Sequence, residues 1–263
     1  MSAVHFPTAT ILGYPRIGPN RELKRAVEAL WAGRSSVAEL EATASQLRLD
    51  QYQHLADFGL VTKDAAIPAS FSFYDQVLDA TTFLGAVPER FSTVTVDSPL
   101  ERYFLLARGA GAVAPLEMTK WFNTNYHYLV PEIGPKTPIS FADDTPVRLY
   151  TEAREAGFEV RPTIVGPVTY LLLSKAASDA PAGYEPIVRL EDALEAYGEL
   201  LGALAEAGAT WVQFDEPGLA SDNLGVSAEE AAILARRAYD YLGKSASRPA
   251  LLVTVPFGEA REA

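Results

Sequence analysis

Apolar residues fall along this chain in two rhythms. Short runs at Ala9–Gly13, Ala69–Phe73, Met118–Phe122, Arg161–Gly166, Thr210–Asp215 and Ala250–Val255 have the length of buried strands. Between them, apolar side chains return at helical spacing. Leu23, Ala26, Val27, Leu30 and Trp31 follow such a spacing, with Gly18-Pro19 predicted to open the helix and Gly33 to close it. Ser36 with Glu39, Ser98 with Glu101, and Ser227 with Glu230 have the spacing of capping boxes, in which each partner satisfies a free backbone N–H of the other. Thr145-Pro146 predicts another helix start and Gly157 its end. Leu194, Tyr197, Leu200, Leu201 and Leu204 line one face of a helix over Glu191–Ala207 that stops at Gly208.

Strands alternating with capped helices predict a parallel sheet with helical crossovers. Two closures compete, an open doubly wound sheet and a (β/α)8 barrel. No G-x-G-x-x-G follows a predicted strand, which weighs against the dinucleotide-binding open sheet. Six strands spaced by roughly 40 to 55 residues leave no room for eight barrel units. The expected fold is therefore a (β/α)8 TIM-type barrel truncated after about six strands, with residues 1–263 forming one incomplete domain.

Composition narrows the function. The 263 residues carry a net charge of −12 and a pI near 4.8, which weighs against a nucleic-acid partner. There is no cysteine, which excludes disulfides, thiolate metal sites and a Cys nucleophile. No apolar run approaches the length of a membrane span, and the first fifteen residues lack a basic signal-peptide start, so a cytoplasmic protein is expected.

Against this acidity, positive charge gathers in one place. Arg16, Arg21, Lys24 and Arg25 fall within ten residues, opposed only by Glu22, where the first predicted strand hands over to a helix. Free N–H groups and the helix dipole add positive potential there, which suits a carboxylate or phosphate. The alternative is a solvated basic turn paired with surface acids. A second cluster, Glu117–Tyr128, sets Lys120, Asn123, Asn125 and His127 among aromatics. Trp121 and Tyr126 suit a flat heterocycle, Lys120 an anionic group and Asn125 ring polar atoms; the alternative is a half-buried strand. Lys120 and Asn125 meet only if the chain bends between them. A third, Trp211–Pro217, ends a strand on Asp215 and Glu216, whose side chains point to opposite faces. The favoured reading places one acid against an arginine and the other at the rim. Gly166–Tyr170 reads as a turn shaping the mouth. The three histidines, His5, His54 and His127, have no metal-ligand spacing.

GYPRIGPNRELKRA at 13–26, EMTKWFNTNYHYLVPE at 117–132, GPVTYLLL at 166–173 and WVQFDEPGL at 211–219 together resemble the amino-terminal region of the cobalamin-independent methionine synthase family. The resemblance implies a pair of facing barrels that move a methyl group from 5-methyltetrahydropteroyltri-L-glutamate to L-homocysteine. It implies folate contacts at Arg21, Glu22, Leu23, Lys24, Lys120 and Asn125; the basic cluster and the aromatic segment add Arg16 and Trp121 as candidate contacts. It also implies zinc, without cobalamin, held by His, Glu and two Cys in a carboxy-terminal barrel whose ligands are not in this chain. Asp215 would then be a structural remnant of duplication. Three functions follow as expectations. One is a folate-polyglutamate-binding part, inactive alone. Another is a non-catalytic fragment that needs its partner barrel. The last is a carboxylate-dependent hydrolase on Asp215 or Glu216.

Overall fold

A computed structural model describes residues 5–259. In chain order its main elements are α1 (Glu22–Trp31), α2 (Val37–Asp57), β1 (Ile67–Ala69), α3 (Gln76–Phe83), α4 (Pro99–Arg108), β2 (Met118–Lys120), β3 (His127–Leu129) and β4 (Glu132–Ile133). Then come α5 (Thr145–Glu155), β5 (Val160–Val165), α6 (Pro167–Leu172), β6 (Lys175–Ala176), α7 (Leu190–Glu206), β7 (Trp211–Asp215), α8 (Ala228–Gly243) and β8 (Ala250–Thr254). β1, β5, β7 and β8 form one parallel sheet in that order, so the crossovers run through helices as the alternating pattern required.

Helix ends follow the sequence closely. Ser36, Ser98 and Ser227 each accept from the backbone N–H three residues on, and Glu39, Glu101 and Glu230 return the bond. α5 starts at Thr145 and is followed by Gly157 at φ 93°. The first helix starts later than its sequence predicts. Gly18, at φ 81°, makes a turn rather than a cap, and the helix begins at Glu22 behind an Arg21 held at φ 62°.

The faces of the sheet differ. Val160, Val212 and Phe214 pack outward into the main core, with the Phe214 ring 5.5 Å from Tyr197 of α7. Leu194, Tyr197, Leu200, Leu201 and Leu204 of α7 are all buried, each worth about 1.5–3 kcal/mol of apolar transfer. A second core joins α1, α2 and α4 through Leu23, Val27, Leu40, Leu47 and Phe104. The other face of the sheet is polar: Arg161 and Gln213 are fully buried, and Asp215 and Thr254 stand beside them.

Three strand expectations need correction. Four strands make the parallel sheet, and the remaining described strands form two separate pairs. Ala9–Gly13 runs beside the sheet but joins no ladder. It is held through side chains instead: Arg161 donates to the Ile11 carbonyl (2.9 Å) and Gln213 to that of Leu12 (2.8 Å), while the run's own Thr10 hydroxyl donates to the Ala66 carbonyl (2.5 Å). The second strand lies at Ile67–Ala69, and Ser70–Phe73 continues as loop. Met118–Lys120 pairs antiparallel with His127–Leu129, because the chain turns back at Trp121–Tyr126.

Candidate functional site

A cavity of about 1570 Å³ opens at the C-terminal ends of the parallel strands, where Ser70, Val165, Asp215 and Phe257 all line it. The loop from Leu12 to Arg21 forms one wall, and α2, α4 and the β2–β3 hairpin form others.

Of the predicted site residues, Arg16, Arg21 and Trp121 line this cavity. Arg16 is half-buried and its guanidinium donates to the Tyr74 carbonyl. Arg21 is exposed at the mouth, and no side-chain hydrogen bond or ion pair is found for it among the described residues. Arg48 and Arg148, the other cations of the lining, are already paired with Glu152 and Asp144 at 2.7 and 2.8 Å. Available positive charge is therefore concentrated on the Arg16–Arg21 side.

The other predicted contacts lie elsewhere. Glu22 folds back over the preceding turn, accepting from Asn20 through its backbone N–H at 3.0 Å and its side-chain amide at 2.9 Å. Hydrogen bonding from its own N–H and then from the Asn20 side chain lowers its carboxyl below the usual range. Leu23 is buried in the second core. Lys24 is exposed outside the cavity lining, 3.5 Å from Glu28. Lys120 and Asn125 are exposed on the hairpin, outside the lining that Trp121, Thr124 and Tyr126 provide. The bend that could bring them together exists, with Trp121 N–H bonded to the Tyr126 carbonyl at 2.9 Å.

Sequence reasoning missed a cluster on the cavity floor. Asp75 caps α3, accepting from Val77 and Leu78 at 2.8 Å, and its second oxygen takes the Leu129 N–H at 3.1 Å. One turn on, Asp79 accepts the Tyr103 hydroxyl at 2.8 Å. Burial pushes Asp75 up to about 6 and Asp79 to about 7, with hydrogen bonds and the Arg16 charge opposing it. Asp79 keeps some exposure toward the cavity while protein surrounds its carboxyl. An Asp before Gln-Val-Leu carried a helix-cap signal, but nothing in sequence joined it to Tyr103.

Asp215 faces the cavity, accepting from Thr254 at 2.6 Å and Gln213 at 2.7 Å, with Arg161 nearby. Glu216 is not at the rim. It is fully buried and caps α6, accepting from Val168 (3.2 Å), Thr169 (2.7 Å) and the Tyr239 hydroxyl (2.7 Å). Gly166 is the residue that lets it approach: a Cβ there would overlap the Glu216 carboxylate. This segment is buried helix start rather than mouth, and Glu216 is removed from any hydrolase arrangement at the cavity.

Three of the four described non-glycine residues with positive φ border the site. Arg21 (62°) and Phe257 (77°) line it, and Phe122 (48°) follows Trp121. The Phe122 and Phe257 rings stack at 5.7 Å. Such left-handed backbone costs on the order of 1 kcal/mol per residue and tends to persist where surroundings impose it.

A parallel sheet flanked by helices, with a large cavity at its strand ends, defines an α/β domain with room for a ligand. Residues 8–263 match the family described as Cobalamin-independent synthase, N-terminal domain, and the chain belongs to that family. It is 51% identical over 252 residues to a Mycobacterium tuberculosis protein named 5-methyltetrahydropteroyltriglutamate–homocysteine methyltransferase, covering 96% of this chain and 32% of that protein. A Streptomyces coelicolor protein of the same name is 48% identical over 262 residues, covering 100% and 33%. The chain thus spans about a third of the length of the curated relatives it matches. The solved structure of a Listeria monocytogenes protein assigned as a vitamin-B12-independent methionine synthase aligns over 96% of this chain and 64% of its own, at 13% identity and a TM-score of 0.46.

Proposed function

We propose that this chain is the folate-binding N-terminal part of a methyltransferase that moves the methyl group of 5-methyltetrahydropteroyltri-L-glutamate to L-homocysteine, forming L-methionine. Family membership and the names of the relatives support the reaction. The observation that carries this chain's share is Arg21, a guanidinium without a side-chain partner among the described residues, which lines the same cavity as Arg16 in a molecule of net charge −12. A triglutamate tail is a polyanion, and the rim is where the protein offers uncommitted positive charge. Arg21 and Lys24 grip the tail from outside, Arg16 from within, and Lys120 and Asn125 approach from the hairpin. Glu22 and Leu23 shape the turn, the one by tying down Asn20 and the other by anchoring α1. Trp121 supplies an apolar wall.

In this reading the sheet is part of an incomplete (β/α)8-type barrel domain over residues 1–263, and a carboxy-terminal barrel completes the enzyme. Zinc belongs to that second part. The present chain has no cysteine, and among the described residues no group of three His, Asp or Glu side chains is placed to hold a metal. Its donor set does not fit a thiol-activating zinc site, so the chain alone is expected to bind folate without methyl transfer.

Titration with the tri- and monoglutamate forms of 5-methyltetrahydrofolate tests this. The unaltered chain should favour the triglutamate, and Arg21→Ala should erase most of that preference, roughly five- to tenfold for one charge-assisted contact. Equal affinity of the unaltered chain for both forms would remove the basis of the proposal.

A further inference from the structure

The loop that carries Arg16 and Arg21 has an unusual support. From Thr10 to Arg16, the described hydrogen bonds that tie the chain to the sheet side, to α2 and to the segment before α3 all involve a side chain. Thr10 Oγ1 donates to the Ala66 carbonyl at 2.5 Å, Arg161 Nη2 to Ile11 at 2.9 Å and Gln213 Nε2 to Leu12 at 2.8 Å. Next, Tyr14 N–H donates to Ser70 Oγ at 3.3 Å, and Gln51 Nε2 to the Pro15 carbonyl at 3.0 Å. A ladder would fix this stretch by its backbone alone, whatever its neighbours' identities. Here its place depends on which side chains reach it.

Gln213 is the junction. It and Arg161 are fully buried, and each of its polar atoms has a partner. Its oxygen accepts Arg161 Nε at 3.0 Å, while its nitrogen donates to the Leu12 carbonyl and, at 2.7 Å, to Asp215. Arg161 uses its remaining nitrogens on the Ala65 (2.6 Å) and Ile11 carbonyls, and no ion pair involves it among the described residues. Two strands of the sheet thereby hold adjacent carbonyls of one loop. Gly13 lies one residue beyond the second of these carbonyls, and Arg16 three residues beyond that.

We propose that Gln213, acting with Arg161, is a positioning residue that sets where the Tyr14–Arg21 loop stands over the cavity, and so determines the preference for a multiply carboxylated tail. The inference rests on the folate reading above and adds to it a residue that does not touch the ligand. Leucine at position 213 keeps the size and removes both donated bonds. The Leu12 carbonyl then loses its anchor, and the guanidiniums move relative to the rim.

The test measures the ratio of triglutamate to monoglutamate affinity in the unaltered chain, Gln213→Leu, Arg21→Ala and the double variant. Cooperative unfolding of each is monitored alongside. The expected result is a folded Gln213→Leu chain whose ratio falls about three- to tenfold, with monoglutamate affinity little changed and no further fall when Arg21→Ala is added. A merely structural role would weaken both ligands together or add independently to Arg21→Ala. Either pattern, or an unchanged ratio in folded Gln213→Leu while Arg21→Ala lowers it, overturns the inference and leaves the folate reading standing. An Arg21→Ala chain with an undiminished ratio overturns the folate reading itself. Should Gln213→Leu fail to fold, Thr10→Val removes another anchor of the same loop with little change in shape. A reduced ratio there supports the positioning role, and an unchanged one refutes it.

Discussion

Asp79 puts a proton where an ordinary carboxyl would have lost it. Its folded pKa is about 7 against an ordinary 3.8, and Asp75 beside it lies at about 6, burial being the main cause in both. Between about pH 4 and 7 the folded chain therefore binds more protons than the unfolded chain. Stability contributed by this pair is greatest at the acid end and falls as pH rises through that window, by on the order of a few kcal/mol. Asparagine at position 79 can still accept the Tyr103 hydroxyl but has no charge to suppress. Urea midpoints at pH 5 and pH 8 should drop more steeply in the unaltered chain than in Asp79→Asn. Parallel slopes would refute the assignment. Gly166 offers a second residue-scale expectation, because its φ of −70° suits any residue and only space forbids a side chain. Gly166→Ala should cost about 1–3 kcal/mol by denaturant midpoint, by displacing a fully buried carboxylate from the N–H groups of Val168 and Thr169.

Among the elements, what could be read from sequence was whatever is decided locally. Capping boxes at Ser36, Ser98 and Ser227 are reciprocal bonds over three residues, and each is present. The central strands were placed nearly to the residue, since their apolar runs are buried by helices on the outer face. Failures came where a distant partner decides. Ala9–Gly13 has a strand's composition, but the side chains that take its carbonyls sit 150 and 201 residues away. In the site, Arg16, Arg21 and Trp121 were legible as types. Leu23 faces the core as its helical spacing with Val27 requires, whereas Glu22 folding back over Asn20, next to Arg21's left-handed backbone, is a turn that no spacing rule anticipates. Asp79 and Tyr103 were missed because each looks ordinary until α3 and α4 pack. β8 bears a prediction of its own. It pairs only with β7 among the described residues, and Ala250 N–H points toward that neighbour, bonded to Thr210. In a parallel strand the direction alternates, so Leu251 and Val253 present their N–H groups to the open edge. Their amides should exchange with solvent well before that of Leu252, and equal protection at all three would mean that the edge is covered.

Seen as a whole molecule, the protein places a polar sheet face where barrels commonly pack branched apolar layers. Arg161, Gln213, Asp215 and Thr254 cannot form a dry layer by themselves, and burying them unpartnered would cost several kcal/mol. They are satisfied by one another and by carbonyls of the amino-terminal run, which also lays Phe6 edge-on against Trp211 at 4.9 Å. The consequence concerns the order of events during synthesis. Ile11 and Leu12 leave the ribosome well before their partners, which are made 150 and 201 residues later. Closing such long loops is slow, and nothing rewards it until both ends exist. This run is thus among the later parts to settle, and the nascent chain carries the Tyr14–Arg21 loop only partly fastened, through Ala66, Ser70 and Gln51, until β7 has emerged.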